Sequence, residues 1–371
     1  MFAPANCFEL RWRIVGSHDR NSSSKFGKCA RSSSRTRSSK TSPTQSRGVS
    51  RTAAAIVLLT LSAAIAAAQT PLAAIPTDDS KIIRRWSLPG DPHGLTIGPD
   101  GTLYVGLAQP QAVVAIDPER GTIRKKIVLD SADIAATKEL VTMRLSADGK
   151  RLYVANGSDE SATILSLPDL AVVREITIEG EPIRDALPDP SGRYVFLLGH
   201  RVHVYDANGQ EELRTIGGED PAAIAVNESQ LAVLTKDRVT FFDTTAFKQT
   251  GVVLGLKGIE AALFAGRHLM LLAPDALYEV GQRIVKEPIC LPQGSGPQIA
   301  ALAGPRLLLF AERRCSSSTA FTESDHTVMP ASLYGVNAYA VAFDAKSNSL
   351  YTTERAGYLT IYRVPKPAIA H

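Results

Sequence analysis

Seven residues pair useful chemistry with a recurring position: Asp91, His93, Arg184, Asp185, Asp220, Glu260 and Asn337. Most bring carboxylate or amide oxygens, donors that suit a hard divalent cation such as calcium. Glu139, Glu181 and Glu219 fall in comparable places. His93 adds an imidazole, the side chain whose charge changes near neutral pH and which serves acid–base chemistry. A plainer reading competes with this one. Acids on loops pair with nearby guanidiniums, here Arg144 or Arg184, and His93 can hydrogen-bond within its own loop. His200 and His203 are three apart in an extended stretch, so their rings point to opposite faces and do not share a metal. The chain contains no nucleophile elbow, no C-x-x-C, no haem-attachment motif and no phosphate-binding glycine loop.

What the seven share is a place just before a short apolar run. Each run opens a unit of about forty residues: strand, turn, strand, turn, strand, turn, strand. The first copy spans residues 91–129 and the second 143–180. Gly101 and Gly149 are equivalent turn residues 48 apart, and Gly192 follows 43 later. Asp and Gly recur there because they supply the backbone conformations that tight turns need. Later copies are looser, at 222–254, 261–291, from 298 and at 338–364. A unit of four strands repeated in this way predicts an all-β, seven-bladed propeller. The last copy has three strands, and an orphan strand waits at residues 81–88. Pairing them closes the ring and leaves no exposed central edge. The loops that enter the innermost strands then gather on one face, around the central channel, and they hold the seven residues. Arg313 to Tyr334 is the longest break in the repeat, and loops on rigid scaffolds often carry function.

The first 68 residues differ in kind. They hold 11 of the 41 Lys and Arg but only two acids, Glu9 and Asp19, which leaves the remainder with a net charge of −5. The whole-chain excess of +4 is therefore a property of the leader, and no nucleic-acid partner is expected. Residues 1–48 read as a disordered or misassigned extension. Residues 49–68 read as a secretory signal: Arg51, an apolar run from Ala53 to Ala68, and an A-x-A cleavage site at Ala66-Ala67-Ala68. Residues 69–80 read as a linker, 81–364 as the propeller and 365–371 as a tail. The run is too short and alanine-rich for a span, so none is expected after cleavage. The mature chain is expected to be a periplasmic or secreted monomer. Cys290 and Cys315, the two cysteines beyond the leader, are a candidate disulfide in an oxidising compartment.

The stretch Asp148-Gly149-Lys150-Arg151-Leu152-Tyr153-Val154-Ala155-Asn156 resembles the signature of the YVTN-repeat β-propeller family. Asp100 to Val105 is a shorter match and Leu350-Tyr351-Thr352-Thr353 a fainter one. The resemblance implies the propeller fold and kinship with lactonases, with β-subunits of quinohaemoprotein amine dehydrogenases and with surface-layer proteins. It says little of function, since the architecture hosts unrelated activities. Pro92 to Gly101 also resembles one repeat of the streptogramin lyase group. Regular repeats without a catalytic motif favour binding of a protein, glycan or small ligand at the loop face. The alternative is a metal-dependent lactonase-like hydrolase or a streptogramin-lyase-like enzyme at the channel mouth.

Overall fold

The structure is a computed structural model. It describes residues 69–363 except 81, 130–140, 158, 218–219, 257, 260, 266–267, 274–275, 281–283, 289–297, 302–305, 311–318, 323–326, 331–337, 345 and 355. Every described element is a β-strand, and the strands form seven antiparallel sheets. In chain order their first strands are Pro92–Ile97, Val141–Leu145, Asp185–Pro188, Ala223–Val226, Ala261–Ala265, Gln298–Ala301 and Ala338–Asp344. Each of these first strands contacts that of the next sheet, and Ala338–Asp344 contacts Pro92–Ile97. The chain folds as a β-propeller, with first strands innermost and fourth strands outermost.

Composition follows position within a sheet. Most second strands are sandwiched between neighbouring sheets and are apolar on both faces; that of the seventh sheet, Ser349–Glu354, buries Thr352, Thr353 and Glu354 instead. Leu103–Leu107 and Val195–Leu198 are buried throughout. The fourth strands lie where the sheets splay apart, and they carry charge: TIRKKIV at 122–128 and AVVREIT at 171–177. Period-two alternation divides each second strand between two neighbours. Tyr104 packs with Met143, Leu152 and Val154 of the second sheet, while Leu103 and Val105 pack with Leu359 and Ile361 of the seventh. Tyr153 points on to Val195 and Leu197 of the third sheet, and Phe196 to Leu231 and Val233 of the fourth. The core is thus a series of apolar seams between sheets. Burying one such Leu or Phe stabilises the fold by about 1.5–3 kcal/mol.

The hairpin turns between first and second strands stack as well. Gly149 has φ +68°, and a Cβ there would lie 2.3 Å from Cγ of Pro99 in the preceding sheet's turn. Only glycine satisfies both the left-handed backbone and the close approach.

Two segments depart from the sequence expectation. Residues 69–80, read as a linker, pair with the sheets. Thr70–Pro71 pairs with the outer strand of the first sheet at Thr122 and Ile123. Ala73–Ala74 pairs with Trp86 and Ser87. Residues 82–87 themselves pair with Tyr358–Arg363, alongside the last repeat. The segment is therefore a strap across the boundary between the seventh and first sheets. It is pinned by Leu72 N donating to Gly121 O at 2.7 Å and Ile75 N to Arg85 O at 2.9 Å. Leu72 also packs on the apolar seam beneath. The break at 313–334 contains strands Thr319–Thr322 and Thr327–Pro330, the third and fourth strands of the sixth sheet. Its Ser- and Thr-rich composition hid two paired strands.

Candidate functional site

The loops entering the innermost strands lie at one end of the sheets. Asp91, immediately before Pro92–Ile97, has φ 54°, a left-handed conformation that Asp tolerates better than most residues. Its carbonyl accepts from Ala108 N at 3.0 Å. Its Oδ2 lies 3.1 Å from Nε2 of His93. His93 is 1% exposed, which removes it from contact with any ligand unless the seam opens. Its ring packs on Tyr339 of the seventh sheet, centroids 4.1 Å apart, and Thr353 Oγ1 donates to the His93 carbonyl at 2.8 Å. His93 is thus a plug between the last and first sheets.

Asp185 opens the first strand of the third sheet and faces Arg144 on that of the second. The pair is bidentate, Nε to Oδ1 at 3.2 Å and Nη2 to Oδ2 at 2.9 Å. Such fork geometry adds directionality to charge attraction. The Asp185 charge holds the half-exposed Arg144 guanidinium above its usual pKa, against the opposing effect of the protein packed around it. Next to it, Thr142 Oγ1 donates to the Arg184 carbonyl at 3.1 Å. Arg184 reaches the other way. Its Nη2 donates to Gly199 O at 2.7 Å and to Pro221 O at 2.6 Å, and lies 3.3 Å from Asp220 Oδ1. Asp220 has φ 44° and also faces His200 Nδ1 at 3.4 Å.

Behind these loops sits His203, 7% exposed. Its Nε2 lies 3.0 Å from Glu181 Oε2 and its Nδ1 2.9 Å from Glu212 Oε1. Burial is the largest single influence and works to raise both carboxyls, but the bonds and charge of His203 together with the His200 and Arg201 N–H groups at Glu181, and with the Thr215 and Tyr205 hydroxyls at Glu212, hold both below the usual Glu value. Glu181 additionally accepts from His200 N at 3.0 Å.

The sequence-selected residues therefore resolve into separate pairs: Asp91 with His93, Asp185 with Arg144, and Arg184 with Asp220. Glu260, Asn337, Cys290 and Cys315 lie outside the described residues. Among the described residues, no group of three or more His, Cys, Asp or Glu is placed to hold a metal ion. Both carboxylate oxygens of Asp185 are engaged by Arg144, so a cation bound there would have to compete with that guanidinium. Sequence reasoning missed Tyr339, Thr353 and Glu212. Their link to the site crosses between repeats or strands, where spacing along the chain carries no signal.

These contacts do one thing together. On the loop end, Thr353 ties the seventh sheet to the first, and Gln111 Nε2 ties the first to Asp159 Oδ2 of the second at 2.8 Å. Arg144 and Thr142 tie the second to the third, and Arg184 ties the third to Pro221 of the fourth. A cavity of about 160 Å³ opens beside the Gln111–Asp159 link, lined also by Ser161, Thr163 and Glu175.

No protein-family model matches the chain, and no curated protein does. Solved structures do match. Virginiamycin B lyase from Staphylococcus aureus is 14% identical, with a TM-score of 0.59, over 76% of this chain and 98% of that one. The Swd1 β-propeller domain from Myceliophteria thermophila is 14% identical, with a TM-score of 0.61, over 80% and 100%. Hydrazine synthase from Kuenenia stuttgartiensis is 14% identical, with a TM-score of 0.59, over 78% and 97%. The likeness is one of fold, shared by enzymes and binding scaffolds alike. Among the described residues no helix is long and apolar enough to cross a membrane.

Proposed function

We propose that this chain is an exported β-propeller of the YVTN-repeat kind. In this reading the face of loops entering its inner strands recognises a protein, glycan or small ligand without converting it. The observation that carries it is the set of side-chain links across that face, from Thr353–His93 through Gln111–Asp159 and Arg144–Asp185 to Arg184–Pro221. They spend charged groups on fixing the loops. A face held in one shape loses little freedom on binding, which favours affinity. The small cavity lined by amide, hydroxyl and carboxylate groups adds polar recognition on the same end. Export follows from the signal-like leader ending at Ala68, and kinship from Asp148–Asn156.

A thermal-shift screen of the full chain against divalent metals, oligosaccharides and small polar compounds tests the reading. Binding without turnover, weakened by Arg184→Ala, supports it. Turnover of a bound compound that disappears in Asp185→Ala overturns it. Export is tested by N-terminal sequencing of protein from the producing cell. A chain beginning at Gln69 supports it, and an intact cytoplasmic chain overturns it.

The resemblance of Pro92 to Gly101 to a streptogramin lyase repeat supports a second, enzymatic reading, which requires the seam over the buried His93 to open. One solved neighbour is a catalytically inactive virginiamycin B lyase with quinupristin. Incubation with quinupristin decides it: conversion of the compound abolished by His93→Ala would replace the binding reading, and an unchanged compound would dismiss the lyase-like reading.

A further inference from the structure

We propose that His203 is a proton-operated brace, which in its doubly protonated form ties the loop carrying Arg184 to the outer strand of the third sheet and releases it when a proton leaves. The argument is stereochemical. Each ring nitrogen lies at hydrogen-bonding distance from a carboxylate oxygen, Glu181 Oε2 on one side and Glu212 Oε1 on the other. An ionised carboxylate only accepts, and a neutral imidazole has a single N–H. Both contacts can be hydrogen bonds only if both nitrogens carry protons. Both carboxyls lie below the ordinary Glu value, so both are ionised near neutral pH.

The brace spans three parts of the sheet. Glu181 sits in the loop that leads through Ile183 to Arg184 and Asp185. His203 is on the third strand, Val202–Asp206, and Glu212 opens the fourth, Glu212–Ile216. Glu212 is further oriented by Thr215 Oγ1 at 2.9 Å, and Tyr205 OH lies 3.4 Å from its Oε2. Glu181 also receives the His200 N–H, so the same carboxylate anchors the turn at 199–201. Among the described residues, the titratable groups against the ring are thus Glu181 and Glu212, with Tyr205 beside Glu212. One step beyond lies the His200–Asp220–Arg184 cluster. When His203 loses a proton, one carboxylate faces a ring lone pair instead of a donor. The contact turns from attraction to repulsion. In this proposal the remaining proton stays on Nδ1, facing Glu212, so that Glu181 meets the lone pair and its side-chain tie to the ring is lost. Ile183 N still bonds Asp159 O, Arg184 N still bonds Leu198 O, and Arg184 Nη2 still bonds Gly199 and Pro221. This inference stands independently of any ligand or activity.

The full chain labelled with ¹⁵N-histidine tests it. Its seven histidines are resolved by long-range ¹H–¹⁵N spectra across pH 5–9, with His203→Gln assigning the signal. The expected result is an imidazolium signature on both His203 nitrogens at the acid end and its loss on titration. Protection factors, which remove the intrinsic rise of exchange with pH, should fall about tenfold across that same step at the amides of Glu181, Ile183, Arg184 and residues 199–201. In Glu212→Gln, whose site is partly exposed, Glu181 keeps its bond to either form of the ring, and the step in exchange should vanish. A neutral single tautomer throughout, or loop exchange that ignores the His203 titration, overturns the proposal. If His203→Gln does not fold, Glu212→Gln still separates the outcomes.

Discussion

Trp86 and Gly121 face each other across the boundary between the seventh and first sheets. A Cβ on Gly121 would lie 2.7 Å from three atoms of the indole, and Gly121 has φ +63°. Alanine there meets both a steric wall and an unfavourable backbone. Gly121→Ala should destabilise the fold by about 1–3 kcal/mol, the usual range for overpacking. Urea denaturation at neutral pH measures it. An unchanged midpoint would mean that the indole moves aside freely.

The strap at 69–75 lies over the same boundary. Removing residues 69–76 deletes the pairings of Thr70–Pro71 and Ala73–Ala74 and the Leu72 contact. The melting temperature should fall, and hydrogen exchange should rise first in 82–87 and 122–128. Uniform acceleration across all sheets would instead show that the strap acts through global stability.

Arg144 and Asp185 should show measurable coupling. Arg144 is about half exposed, at 48%, so water can rehydrate it when Asp185 is lost. Asp185→Ala is therefore expected to cost only about 1 kcal/mol. A double-mutant cycle with Arg144→Ala should return a coupling of about 0.5–1 kcal/mol. A coupling of zero would remove this pair from the set of links that fix the loop face.

Acid should weaken the third sheet. The carboxyls of Glu181 and Glu212 are held below their ordinary value of 4.5 despite burial, chiefly through His203. A depressed folded-state value means that the stabilisation is complete above 4.5 and is lost as pH falls through the folded value. Stability measured from pH 6 down to pH 3 should decline less steeply in the Glu181→Gln, Glu212→Gln double variant than in the parent. Parallel declines would show that other carboxylates dominate. Those candidates are the turn residues Asp100, Asp117, Asp148, Asp206, Asp243 and Asp344, all likewise lowered.

The sequence announced the propeller because its strongest signals are local. Asp148 to Asn156 holds a turn and an apolar strand in nine residues, and Gly101, Gly149 and Gly192 repeat one turn. The orphan strand at 81–88 was visible because the last repeat was one strand short. The strands at 319–322 and 327–330 were not visible, since Ser and Thr there mimic a loop. The strap at 70–74 was hidden by shortness: two-residue pairings leave no periodicity. The site was legible as a list of donors and illegible as a geometry. Nothing in the spacing of Arg144 and Asp185, 41 residues apart, or of Thr353 and His93, 260 apart, says that they meet. The His203 brace was overlooked for the same reason, with Glu181 22 residues before it.

The alternation in the second strands has a consequence for how such a chain can change. Leu103 and Val105 belong to one neighbouring sheet and Tyr104 to the other. Each blade is therefore written in two interleaved scripts, each legible only to the blade beside it. A one-residue insertion within such a strand would exchange the scripts and misaddress every side chain beyond it. Substitutions that keep this parity leave each side chain facing its own neighbouring sheet, whatever the divergence between one copy of the repeat and the next. A blade moved to another position would carry messages for the wrong neighbours, so grafts between propellers of this kind should succeed in adjoining pairs before they succeed singly.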